Sequence, residues 1–113
     1  MSGLTTHVLD TMHGRPAAGV ALRLCRGGEV LTRAVTNADG RCDSPLLTGE
    51  ALAPGAYRLE FEVGAYYRGL GVILAEPAFL DIVALEFGIA DAASHYHVPL
   101  LVSPYGYSTY RGS

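Results

Sequence analysis

The stretch Ala56-Tyr57-Arg58-Leu59-Glu60-Phe61-Glu62-Val63 decides the fold class. Tyr57, Leu59, Phe61 and Val63 alternate with Arg58, Glu60 and Glu62. A period of two puts the first set on one face of a strand and the second set on the other, one against a core and one in water. The same signal recurs on both sides. Val20, Leu22 and Leu24 share a face opposite Arg23, and Val83, Leu85, Phe87 and Ile89 share another. Further strands are expected over 4–10, 29–35, 67–74, 96–103 and 106–112.

Turn chemistry separates these runs. His13-Gly14-Arg15-Pro16, Arg26-Gly27-Gly28, Asn37-Ala38-Asp39-Gly40 and Ala53-Pro54-Gly55 carry the Gly, Pro, Asn and Asp that tight turns require. About eight short strands at this spacing predict an all-β, antiparallel two-sheet sandwich or barrel. One short helix is expected near Glu76–Asp81, with Pro77 at its first position. There is no long helical periodicity, which argues against a doubly wound α/β fold.

The totals narrow the class further. The chain has 113 residues, which predicts one domain over 1–113. Half the residues are hydrophobic and only 17% are charged, below the usual quarter. That deficit, with Val98, Leu100 and Val102 on one face of a strand and Leu101 on the other beside His97, points to faces buried between copies of the chain. The net charge of −3 lacks the basic footprint of a nucleic-acid binder. No apolar run reaches the length of a membrane span, and the start carries no secretory pattern. Cys25 and Cys42, outside any CxxC pair, read as free thiols in a reducing compartment, so a cytoplasmic location is expected.

Chemistry gathers at the histidines. His13 lies in a turn, where a solvated loop residue is expected. His95 and His97 point the same way on their strand, about 7 Å apart by strand rise. His7 lies on the face of its strand opposite Leu4, Thr6 and Val8. Arg41 follows the Asp39-Gly40 turn, at a strand end. This set admits three readings. The histidines are outward polar residues, or a three-nitrogen zinc site, or acid–base groups that work on water without a metal. In the last case the Arg41 fork would hold carbonyl or anionic oxygens. Sequence patterns for a nucleophile elbow, a phosphate-binding loop and an EF-hand are absent.

Three stretches carry a resemblance over essentially the whole chain: LTTHVLDTMHGRPA at 4–17, TNADGR at 36–41 and HYHVPLLVSPYGYSTYRGS at 95–113. Together they resemble the transthyretin-like family of 5-hydroxyisourate hydrolases of purine (urate) catabolism. The terminal YRGS is the most specific element and separates the hydrolases from the hormone carrier transthyretin. The resemblance implies a transthyretin-like two-sheet β-sandwich with one short helix, and a homotetramer built as a dimer of dimers with sites where the dimers meet. It implies hydrolysis of the small molecule 5-hydroxyisourate to 2-oxo-4-hydroxy-4-carboxy-5-ureidoimidazoline, with no cofactor and no metal. By motif, His7, Arg41 and His97 are expected to be catalytic. His7, Arg41, Tyr110, Arg111, Gly112 and Ser113 are expected to bind substrate, with His95 as a neighbour of the site. Two rivals are a carrier of an aromatic ligand in the same channel and a structural β-domain of the carboxypeptidase-regulatory kind.

Overall fold

The computed structural model describes residues 2–113. The alternation in 56–63 builds strand β6 (Gly55–Glu62), with Tyr57, Leu59 and Phe61 buried and Arg58, Glu60 and Glu62 on the other face. β6 lies between β3 (Ala21–Arg26) and β7 (Ile82–Ile89), and β4 (Glu29–Val35) closes the other edge, in the order β4-β3-β6-β7. All three pairings are antiparallel. On the outer face Glu60 accepts from Arg23 and Arg58 through separate carboxylate oxygens, which joins neighbouring strands by charge.

The second sheet runs β2-β1-β8-β9, formed by Arg15–Pro16, Gly3–Asp10, His95–Ser103 and Gly106–Thr109. β5 (Leu47–Thr48) pairs with the other end of β1. Leu4, Val8, Leu100 and Val102 of this sheet face Leu22, Leu24, Leu59, Phe61, Val83 and Leu85 of the first. Each such side chain, once fully buried, contributes about 1.5–3 kcal/mol, so the two apolar faces hold the layers together.

The sequence expectation of a β-sandwich with one short α-helix is met, with three differences. The central pair β1–β8 is parallel, with Thr5 opposite His97 and His7 opposite Pro99. Strands separated by most of the chain need no hairpin between them, so a parallel match is available. The helix is not at 76–81, which forms bends; it is α1, Val63–Gly69. The strand expected over 67–74 is therefore the end of α1 and a loop. The reason is visible in the burial. Val63, Tyr66 and Tyr67 stand at helical spacing and are all buried, so the apolar period changes from two to 3.6 at Val63.

Candidate active site

The outer face of the β1–β8 pair carries the site. Asn37 folds the loop that supplies Arg41: its Oδ1 accepts the backbone N–H groups of Asp39 (2.9 Å) and Arg41 (3.2 Å). Gly40 completes the turn at φ +73°, where a side chain would also collide with the Val8 carbonyl oxygen. The Gly40 carbonyl then accepts from the Val8 N–H at 2.8 Å, and Arg41 is bridged to His7 along the edge of β1. On the far side, the Gly112 N–H donates to the His97 carbonyl at 2.7 Å. Four backbone lanes thus lie side by side, carrying Arg41, His7, His97 and Gly112.

The two histidines meet. Nδ1 of His7 lies 2.7 Å from Nε2 of His97, and the rings stack with centroids 4.9 Å apart and an interplanar angle of 22°. A proton sits between the two nitrogens. Two nitrogens on one tetrahedral zinc, with bonds of about 2.0–2.1 Å, stand roughly 3.3 Å apart, so this pair is built as a hydrogen bond and not as a chelate. Among the described residues no three His, Cys, Asp or Glu side chains group as metal ligands.

Burial, then the Arg41 guanidinium, hold His7 below the usual imidazole range. Burial does the same to His97, followed by the charges of His7, Arg41 and His95. Both rings are therefore neutral at neutral pH and able to accept a proton. Arg41 itself has no ion-pair partner among the described residues, so its guanidinium is available to an oxygen-rich ligand.

The C-terminal segment divides. Continued in the register of β8–β9 (Leu101 opposite Ser108, His97 opposite Gly112), alternation puts Tyr110 and Gly112 on the histidine face. Gly112 packs on the ring of His97; a Cβ there would sit 2.7 Å from Cδ2 of the imidazole. Arg111 turns to the other face, with its guanidinium 4.1 Å from the centroid of the Tyr96 ring and a 3.2 Å hydrogen bond to the His95 carbonyl. It is not brought to the histidine pair. Ser113 and Tyr110 are exposed. His95 shares the histidine face, with Nε2 3.2 Å from the Thr5 hydroxyl.

Sequence reasoning missed Thr5, whose Oγ1 also lies 2.8 Å from Nδ1 of His97. The two-residue spacing from His7 is the signal for it, but only the β1–β8 pairing says which histidine it meets. Also missed was Asp10, fully buried, which accepts from Tyr66, Tyr67 and the ring of His13. His13, expected to be a solvated loop residue, is tied to that carboxylate at 2.6 Å.

Comparison with known proteins agrees with this arrangement. The model of the HIUase/Transthyretin family matches residues 4–112. The chain is 58% identical over 117 residues to the 5-hydroxyisourate hydrolase of Pseudomonas aeruginosa, covering 100% of this chain and 93% of that one. Among solved structures, it superposes on the Klebsiella pneumoniae 5-hydroxyisourate hydrolase with a TM-score of 0.85 at 40% identity, each chain covered in full. It superposes on an (S)-allantoin synthase with a TM-score of 0.95 at 42% identity, over 99% of this chain but only 44% of that longer one. Sea bream transthyretin in complex with thyroxine gives a TM-score of 0.86 at 29% identity, with 97% of this chain and 94% of that one covered. With the fold, the paired histidines and the family match in agreement, this chain belongs to the HIUase/Transthyretin family.

Proposed function

We propose that this protein is an enzyme that hydrolyses 5-hydroxyisourate to 2-oxo-4-hydroxy-4-carboxy-5-ureidoimidazoline, a step of urate degradation. The observation that carries the reading is the His7–His97 pair, hydrogen-bonded at 2.7 Å beside Arg41, which has no ion-pair partner among the described residues. A thyroxine-type carrier wants an apolar lining; two imidazoles and a guanidinium suit a polar ring and its hydrolysis instead.

The step asks for one water. The imidazole pair takes a proton from it as its oxygen bonds to a ring acyl carbon. The ring C–N bond then breaks, the leaving nitrogen receives that proton, and the acyl carbon is left as a carboxylic acid, which ionises to the carboxylate by releasing the second proton of the water to solvent. General-base assistance of this kind is worth about 10²–10⁴-fold. Arg41 faces the charge that grows on the acyl oxygen. Tyr110 and Ser113 bind substrate at the C-terminal side. Gly112 lets that side approach His97, and Arg111 anchors it by its hold on Tyr96 and the His95 carbonyl. None of these roles calls for a metal or a cofactor.

The working form in this reading is a homotetramer of single-domain chains, a dimer of dimers, in the cytoplasm. Two features support assembly. The histidine pair lies on an open sheet face, and large apolar side chains stay exposed, among them Phe79 at 71% and Tyr105 at 70%. A second copy across the open face would exclude water from the site. Among the described residues no helix is long and apolar enough to cross a membrane.

The test follows the ultraviolet decay of 5-hydroxyisourate, made in place by oxidising urate, with and without the protein. A large acceleration that a chelator does not change is expected. His97→Asn should lose at least about 10²-fold while keeping its assembly. No acceleration by correctly assembled protein overturns the reading.

A further inference from the structure

Thr5 occupies a position that the catalytic reading does not use. On β1 it is one step along the histidine face from His7, and it pairs across to His97 on β8. Its hydroxyl oxygen is 2.8 Å from Nδ1 of His97 and 3.2 Å from Nε2 of His95. A chain of four groups results, running His95, Thr5, His97, His7, each within hydrogen-bonding distance of the next.

Proton counting leaves this chain two states. A hydroxyl has one proton to donate, and a neutral imidazole has one N–H and one bare nitrogen. If Thr5 donates to His97, then Nε2 of His97 carries the other proton and donates to Nδ1 of His7. His7 is then left with Nε2–H and has no bare nitrogen to offer. If Thr5 donates to His95 instead, it accepts from Nδ1–H of His97. Nε2 of His97 is then bare and accepts from Nδ1–H of His7, which leaves Nε2 of His7 bare. That last nitrogen has no hydrogen-bond partner among the described residues, and His7 is only half-buried. In this second state it is the one place in the chain of groups where a water can meet a free lone pair.

We propose that Thr5 is a positioning residue for the hydrolysis: its hydroxyl donates to Nε2 of His95 and accepts from Nδ1–H of His97, which fixes the tautomers of both inner histidines and makes Nε2 of His7 the base. The direction of the chain rests on the hydrolytic reading of the site. It gives His95 a function as well, as the acceptor that draws the Thr5 proton away from His97. The charged or titratable groups on the face of the chain are His7 from β1, Arg41 from the neighbouring loop, His95 from β8 itself and Tyr110 from the C-terminal segment. Arg111 turns to the other face, to the Tyr96 ring and the His95 carbonyl.

The experiment labels the histidines of the full-length protein with ¹⁵N and reads the imidazole nitrogen shifts without substrate, beside steady-state kinetics. In the unaltered protein, Nδ1 of His97 and Nδ1 of His7 should be protonated and both Nε2 atoms bare. Thr5→Val, which keeps the shape and removes the hydroxyl, should lose the single tautomer at His97. Its kcat should drop by about 10- to 100-fold at nearly unchanged KM, the scale of a misaligned catalytic group. Thr5→Ser should restore the tautomer and hold kcat within about three-fold of the unaltered protein. His95→Phe removes the acceptor, so Thr5 turns to His97 and both inner tautomers should reverse.

Protonated Nε2 on His7 in the unaltered protein would overturn the proposal. So would a Thr5→Val protein with its tautomers intact. The tautomer spectrum needs no turnover and no variant. It therefore decides the matter even if Thr5→Val does not fold, and it stays separate from a failure of the hydrolase reading, which would appear as no turnover with the predicted tautomers present.

Discussion

At the scale of single residues, two environments set the chemistry. His7 and His97 are both held below the ordinary imidazole value near 6.5, first by burial and then by positive charge. Hydrolysis needs the neutral pair, so kcat/KM should be flat at neutral pH and fall on an acid limb whose apparent pKa lies below 6.5. That value belongs to the coupled pair and not to either ring. Arg41→Gln removes one of the charges that disfavour protonation. The limb should therefore move up towards 6.5 while kcat falls by about 10²–10³-fold through lost stabilisation of the acyl oxygen. A pH series of kcat/KM for both proteins checks the two together. Gly112 acts by having no side chain. A Cβ would reach 2.7 Å from His97, so Gly112→Ala should tilt the ring or push the terminus off it. The expected loss in kcat is about 10- to 100-fold with an almost unchanged melting temperature, measured by assay and thermal unfolding side by side.

At the scale of elements, the docking of α1 onto β1 hangs on Asp10. Burial pushes its carboxyl up, but bonds from His13, Tyr66, Tyr67 and the His13 backbone outweigh this and hold it below the usual carboxylate range. The same arrangement raises Tyr66, to about 12, by burial first and then by its bond to Asp10. A carboxylate with a lowered folded pKa adds stability that is fully present above its unfolded value near 3.9 and is lost as pH falls through the folded one. Asp10→Ala leaves the buried Tyr66 hydroxyl without its acceptor and leaves the Tyr67 hydroxyl only the Val102 carbonyl. It should cost about 1–3 kcal/mol in urea unfolding at pH 7, and the cost should shrink below pH 3.9. The C-terminal strand is the other decisive element. Removal of residues 110–113 leaves β9 in place (Gly106–Thr109) but takes away the wall beside His97. The truncated chain should fold with near-native circular dichroism and lose nearly all hydrolysis.

At the scale of the whole molecule, the sandwich places its core between the sheets and its chemistry on an outer face. A site on an open sheet has water on one side, which weakens every electrostatic term in it. Closure by another copy is the simplest remedy. Sedimentation of the unaltered protein should show a tetramer at micromolar concentration. Dilution to dissociated chains should abolish activity before it abolishes structure. Turnover by a stable monomer would instead mean that the four lanes of Arg41, His7, His97 and Gly112 suffice alone.

The sequence by itself determined most of the frame. Alternation in β3, β6 and β7 reports burial on one face, a local property that needs no knowledge of neighbours. The turn at 37–40 was legible for the same reason, since Asn37 and Gly40 do their work within five residues. The motif residues His7, Arg41, His97 and Gly112 could be named from the resemblance. Only the tertiary structure decided the rest. α1 was hidden because Val63 fits both periods, and the switch is settled by Tyr66 and Tyr67 finding Asp10 more than fifty residues away in the chain. The parallel match of β1 with β8 is likewise a long-range choice. It brings Thr5 to His97 and His7 within 2.7 Å of the same ring. Periodicity fixes which face a side chain takes; the register between distant strands fixes which side chain it meets, and the chemistry depends on the second.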